Sequence, residues 1–304
     1  MNQVLLQMAA LIACGVAWRF IKPPGMDADT ARRVITGLVY TLLLPALVLA
    51  VLWQTALGLD TVKIALAAAG GVLAALLATW LLFRRSSVPK TIVGALLLAA
   101  AFPNVTYLGL PVLEKTFGPW ARSIAIQYDL FACTPLLLTV GIMIARFHGS
   151  SGERDSPLVA LLKVPPLWAA AAGVILNLSD VPLPGGLEGL LQTLGNGVVP
   201  LMLIALGMAL TWETRQLRRL PLVAAVLIIQ LFMMPLVAWG LATLLELHGV
   251  LRTAVVLEAA MPSMVLGVVI CDRYGLDTGL YATAVTASTA LSLFTLPLWF
   301  QWVQ

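Results

Sequence analysis

Two short stretches put a helix breaker beside a small polar residue inside apolar sequence. In AAAFPNVTYLGLPVL, residues 99–113, Pro103 precedes Asn104; in AAMPSMVLG, residues 259–267, Pro262 precedes Ser263. Two acidic residues, Asp129 in AIQYDLFAC and Glu258 in VVLEAAMPS, lie in runs of the same kind. The chemistry this set offers is ion coordination. Proline removes a backbone donor and clashes with the preceding turn, and it pushes the residue before it off helical geometry. Asn or Ser directly after it suits the N-cap of a new helix, its side-chain oxygen accepting from first-turn amides. Each break then ends one half-helix in carbonyls that attract a cation, and starts another in N–H groups and a positive dipole end that attract an anion. On this reading Pro103, Asn104, Val105, Thr106, Tyr107, Pro262, Ser263 and Met264 surround an anion, with the Asn104 side chain and the amides of Val105 and Thr106 as the principal contacts. Asp129, Glu258 and Gln127 are the candidates for handling a coupling ion. A carboxylate near backbone carbonyls suits Na⁺, here near Glu258 and Asn104, and a buried carboxyl suits H⁺; the sequence leaves both open. Neither His148 nor His248 takes a role.

The elements that must position these residues are membrane helices. The chain has 304 residues, is 61% hydrophobic and 11% charged, and has a mean hydropathy of +0.98; a soluble chain carries about twice that charge. Ten apolar segments recur, at 3–19, 34–56, 62–83, 90–117, 120–146, 157–177, 189–211, 220–246, 251–274 and 279–301. The first lacks a basic leader and reads as a retained span. Short connections imply one membrane domain. The net charge of +4 is a matter of topology rather than nucleic-acid binding. Fourteen of the 18 Lys and Arg residues fall in odd-numbered loops, which places those loops in the cytoplasm and both termini outside, in the inner or plasma membrane. Trp18, Trp53, Trp80, Trp120, Trp212 and Trp299 mark segment ends, as an aromatic belt requires. The three cysteines show no CxxC spacing and read as small apolar side chains. No metal site or disulfide is expected, and no cofactor beyond a coupling ion.

The polar stretch RFHGSSGERDSP, 146–157, divides the chain into two five-span halves, 1–148 and 157–304, joined by a linker at 149–156. Prolines echo between them: Pro45 and Pro200, Pro103 and Pro262, Pro135 and Pro297, at offsets of 155, 159 and 162. Because five is odd, the second half enters the membrane from the opposite side, an inverted repeat of the kind many secondary transporters share. The fold class expected is therefore all-α and polytopic, ten transmembrane helices in two inverted repeats, with broken fourth and ninth helices crossing near mid-membrane. Unwound backbone at that depth must face protein or a water-filled cavity.

FPNVTYLGLPVLEKTFG, VVPLMLIALGMAL and PSMVLGVVICDRYGLD resemble the auxin efflux carrier family over the whole chain. The resemblance implies the fold shared with bile acid:sodium symporters and NhaA-like antiporters, with scaffold and transport parts interleaved across both repeats and an elevator-type movement. It implies a small organic anion as substrate, auxin- or malate-like, and a homodimer formed through the scaffold. Glu258 resembles the sodium-binding glutamate before the second crossover of the symporters. Ser263 departs from the Asn that the plant carriers have at the second crossover, and the central loop is far shorter than theirs. An enzyme in the membrane would need a nucleophile–base pair or a metal cluster, and neither pattern is present. A channel, an uncoupled uniporter and a sodium-coupled bile-acid-like symporter stay open as alternatives to an ion-coupled anion carrier.

Overall fold

The computed structural model describes residues 2–21, 26–151, 159, 162–210 and 219–304. Among these the regular structure is helical, apart from one isolated backbone bridge. The helices are α1 (Asn2–Ile21), α2 (Ala28–Gln54), α3 (Leu59–Phe83), α4 (Lys90–Ala101), α5 (105–117), α6 (Pro119–His148), α7 (Pro165–Leu178), α8 (Gly185–Ala209), α9 (Leu220–Leu244), α10 (Gly249–Ala259), α11 (Gly267–Tyr274) and α12 (Thr278–Val303). Six of them, α2, α3, α6, α8, α9 and α12, are each long and apolar enough to cross a membrane. The 25 residues of α3 reach about 37 Å, against a hydrocarbon core of about 30 Å. The chain is a polytopic helical membrane protein. The apolar segments read from the sequence fall mainly on these helices, with residues 157–158, 160–161 and 211 outside the described residues. The second starts earlier than expected because Asp27 caps it, accepting from the Thr30 amide at 2.8 Å. Trp212 and most of the 149–156 linker lie outside the described residues.

Prolines shape the helices in a repeated way. Wide, π-type turns at Val39–Leu43, Val105–Gly109, Asp129–Cys133 and Ile229–Met233 each end two residues before a proline, at 45, 111, 135 and 235. Proline cannot donate to the carbonyl four residues back and its ring crowds that carbonyl. Widening the preceding turn relieves the clash without breaking the helix. Three of these turns, those carrying Tyr40, Thr106 and Asp129, meet at one place.

The helices sort into two groups. In one, α2 packs along α7 and α8, and α1 packs along α8. The α1–α8 contact is backbone on backbone. A Cβ on Gly15 would stand 2.8 Å from the Met208 nitrogen, and one on Gly207 would stand 2.9 Å from the Ile12 carbonyl carbon; only small residues allow so close an approach. Arg19 locks the same pair, its Nη2 donating to the Met208 carbonyl at 2.6 Å and to Asp29 at 2.7 Å. In the other group, α3 packs on α4 and α9, α9 on α10, and α12 on α4 and α10. Helix ends gather at two faces. At one, Ser151 donates to the Tyr274 carbonyl at 3.2 Å, Asp277 to that of Thr91 at 3.3 Å, and Arg219 pairs with Asp277 at 2.5 Å. At the other, Asn177 donates to the carbonyls of Trp53 and Thr55, both at 2.8 Å, Gln54 to Glu188 at 3.1 Å, and Arg122 pairs with Glu114 at 2.5 Å.

Candidate functional site

The two proline breaks lie side by side. Phe102 is extended (φ −112°, ψ 103°), as a residue before proline must be. Pro103 and Ser263 form an antiparallel bridge. The Asn104 amide donates to the Pro262 carbonyl at 2.7 Å, and the Met264 amide to that of Phe102 at 3.0 Å. The carbonyls expected to await a cation are thus engaged by the opposite break. That pairing satisfies backbone groups which have no water to turn to.

The second break is clamped from three sides. The Ser263 hydroxyl donates to the Ala99 carbonyl at 2.7 Å, the Ser263 amide to Ser288 Oγ at 3.1 Å, and Gln230 Nε2 to the Met261 carbonyl at 2.9 Å. Tyr281 adds a bond from its hydroxyl to the Met264 carbonyl at 2.9 Å. Ser263 is therefore not a helix cap: the α11 helix starts only at Gly267. The capping expectation fails here because no helical turn follows Ser263 to offer its oxygen amides, and the hydroxyl instead donates across to a neighbouring helix.

The first break is different. Asn104 occupies the N-cap position, with its carbonyl accepting from Leu108 and Gly109 at 3.1 Å each, yet its side chain makes no capping bond. Its Nδ2 is buried without a partner, and the residue lines a cavity of about 60 Å³. The Val105 amide donates to the Pro103 carbonyl at 2.9 Å, so it is not the open donor the sequence suggested. Thr106, Tyr107, Asp129, Thr134 and Met264 also wall the cavity, while Pro262 and Ser263 do not line it. The Thr106 hydroxyl bonds one Asp129 carboxyl oxygen, and Thr134 donates to the other at 2.8 Å. Asp129 thus pairs with hydroxyls, neither with Asn104 nor with Arg122, whose partner is Glu114.

Glu258 is fully buried and neither of its carboxyl oxygens has a partner. It reaches across to α5, where a Cβ on Gly109 would come within 2.7 Å of its Cδ. Gln127, also buried, lines a different cavity of about 820 Å³ near Asp60, Trp120 and Arg122. Among the described residues no three His, Cys, Asp or Glu side chains gather to hold a metal ion.

Sequence reasoning missed Tyr40, Thr134, Gln230 and Ser288. Gln230 carried a signal, a lone amide inside VLIIQLFMMPL, since polar side chains in hydrocarbon cross-link helices. Tyr40 carried none.

A family model described as membrane transport protein matches residues 5–156 and 154–300, nearly the whole chain. The chain belongs to the membrane transport protein family, that of the auxin efflux carriers. It is 32% identical over 305 residues, 98% of this chain and 97% of the relative, to a protein of Methanothermobacter thermautotrophicus named an uncharacterized transporter. The transporter is also similar to the uncharacterized transporter MJ1031 of Methanocaldococcus jannaschii, 29% identical over 68% of this chain and 67% of the relative. To the uncharacterized transporter YfdV of Escherichia coli K12 it is 24% identical over 66% of this chain and 65% of the relative. Buried polar groups between two groups of membrane helices are what a membrane transporter requires of its interior.

Proposed function

We propose that the transporter carries a small organic anion, a mono- or dicarboxylate, auxin- or malate-like, and binds it at the paired breaks. One observation carries the reading: the Asn104 side-chain nitrogen is buried and unpartnered, on a residue that lines a cavity. A donor left so costs about 1–3 kcal/mol, and a bound acceptor removes that cost. The positive end of α5 favours an anionic acceptor. Asn104, Thr106 and Tyr107 make the contacts, with Pro103, Val105 and Met264 lining the site. Pro262 and Ser263 hold the frame. Asp129 is in the same wall and, among the described residues, no basic side chain is, so an anion there needs an accompanying cation. Na⁺ or H⁺ at Asp129 or Glu258, with Gln127 nearby in sequence, supplies it.

Transport is elevator-like. Ten passes form two inverted five-helix repeats. The α1, α2, α7 and α8 group serves as scaffold and, paired with a second copy, stays fixed while the rest slides. The basic loops face the cytoplasm and both termini face outside the inner or plasma membrane. Support for a carrier over a channel comes from Leu44, Val48, Leu110 and Leu130, which close round a void of only about 10 Å³ beside the Thr106–Asp129 pair. Counterflow of labelled carboxylates in proteoliposomes, with and without Na⁺ and at two pH values, tests the proposal. Saturable exchange is expected; flux that rises linearly with concentration would overturn it in favour of a channel.

A further inference from the structure

The geometry points to Tyr40 as the selectivity residue of the Asn104 site, the α2 half of a two-phenol gate through which a solute reaches Asn104 from the Arg33–Lys163–Arg273 face. The inference rests on the Asn104 cavity being the transport site. A second cavity, of about 400 Å³, has Arg33, Lys163 and Arg273 among its lining residues. It shares five residues with the Asn104 cavity: Tyr40, Tyr107, Leu138, Val164 and Leu266. A solute crossing the wall that the two cavities share goes between these five. Only the two tyrosines among them bear polar groups. They also stand on different helices, Tyr40 on α2 and Tyr107 on α5 of the broken pair, so the passage changes width whenever these two helices shift against each other.

Both tyrosines are half-buried and both lie in wide turns, Val39–Leu43 and Val105–Gly109. Such a turn adds a residue to the helical repeat and rotates its side chains off the regular register. Elsewhere the Asn104 cavity shares Leu44, Thr106, Asp129 and Leu130 with a void of only about 10 Å³ that Val48 and Leu110 also line, and it shares no lining residue with the cavity that Gln127 lines. The wider neighbouring space is therefore on the tyrosine side. A phenol is a rigid apolar ring with one neutral hydrogen-bond donor. It offers a carboxylate oxygen a bond without the repulsion or trapping a charge would bring, and it lets an apolar body slide past. The gate thus suits a compact carboxylate with an apolar body, and Tyr40 contacts it from the scaffold side while Asn104 holds it from the other.

Thiol labelling tests this without any carboxylate. On a background of Cys14→Ala, Cys133→Ala and Cys271→Ala, three reporters are introduced one at a time: Ile270→Cys in the basic-face cavity, Thr134→Cys in the Asn104 cavity and Gln127→Cys in the opposite cavity. The probe is a membrane-impermeant anionic methanethiosulfonate, added to either side of sealed proteoliposomes. Thr134→Cys is expected to react from the same side as Ile270→Cys, and Gln127→Cys from the other. Tyr40→Ala should speed labelling of Thr134→Cys about tenfold, equivalent to about 1.4 kcal/mol, and Tyr40→Trp should slow it. Labelling of Ile270→Cys should change with neither, which also reports that each variant is folded. Reaction of Thr134→Cys from the Gln127 side, or rates indifferent to both Tyr40 variants, would overturn the gate. That failure would leave Asn104-dependent carboxylate binding untouched. Absence of such binding with the labelling pattern intact would strike the proposed function instead.

Discussion

Replacing Asn104 by Ala separates a substrate contact from a helix cap, because the two predict opposite balances of stability and affinity. A capping side chain is worth about 1 kcal/mol of helix stability, but Asn104 makes no capping bond and its Nδ2 has no partner. Asn104→Ala therefore deletes a buried, unsatisfied donor and should not lower the thermal midpoint of the ligand-free protein. Affinity is another matter. A hydrogen bond to a charged carboxylate is worth about 1.5–3 kcal/mol, so Kd should rise about ten- to 150-fold at about 1.4 kcal/mol per decade. Asn104→Asp keeps an N-capping side chain while removing the donor and adding a charge that repels the anion at low dielectric; it should lose at least as much affinity. The assay is a thermal-shift titration of the purified wild type and both variants against a carboxylate panel, with and without Na⁺, confirmed by isothermal titration. A destabilised Asn104→Ala with unchanged Kd, or full binding by Asn104→Asp, would refute the reasoning.

Ser263→Ala should behave in the opposite way, losing about 1–3 kcal/mol because the Ala99 carbonyl loses its only described side-chain donor, with a lowered midpoint in the ligand-free protein. Gly109→Ala forces a Cβ to within 2.7 Å of Glu258 Cδ; overpacking of this kind costs about 1–3 kcal/mol, and Glu258→Ala in the same chain should recover most of it in thermal unfolding. Asp129→Asn keeps an oxygen to accept from one of the Thr106 and Thr134 hydroxyls and an N–H to donate to the oxygen of the other, so the protein should fold, but uptake in proteoliposomes should lose its dependence on Na⁺ or on a pH gradient. Unchanged coupling there would remove Asp129 from the ion pathway.

The membrane class, the positions of the apolar segments and the two breaks were legible from sequence, because each rests on local physics. Hydrocarbon demands long apolar runs, and proline acts on its own turn whatever surrounds it. The family followed from the same stretches. What Asn104 and Ser263 do at those breaks was not legible. Both were read as caps from their position after proline, yet Ser263 bonds Ala99, 164 residues away in the chain, and Asn104 leaves its side-chain nitrogen unpaired. Side chains at a break choose among all the partners that packing brings near, and the nearest acceptor for Ser263 belongs to the other half of the chain. Packing also decided that Asp129 meets two threonines while Glu258 lies against Gly109. It alone put Tyr40 beside the site, since one tyrosine in an apolar helix has no local pattern to announce which face of the fold it will line.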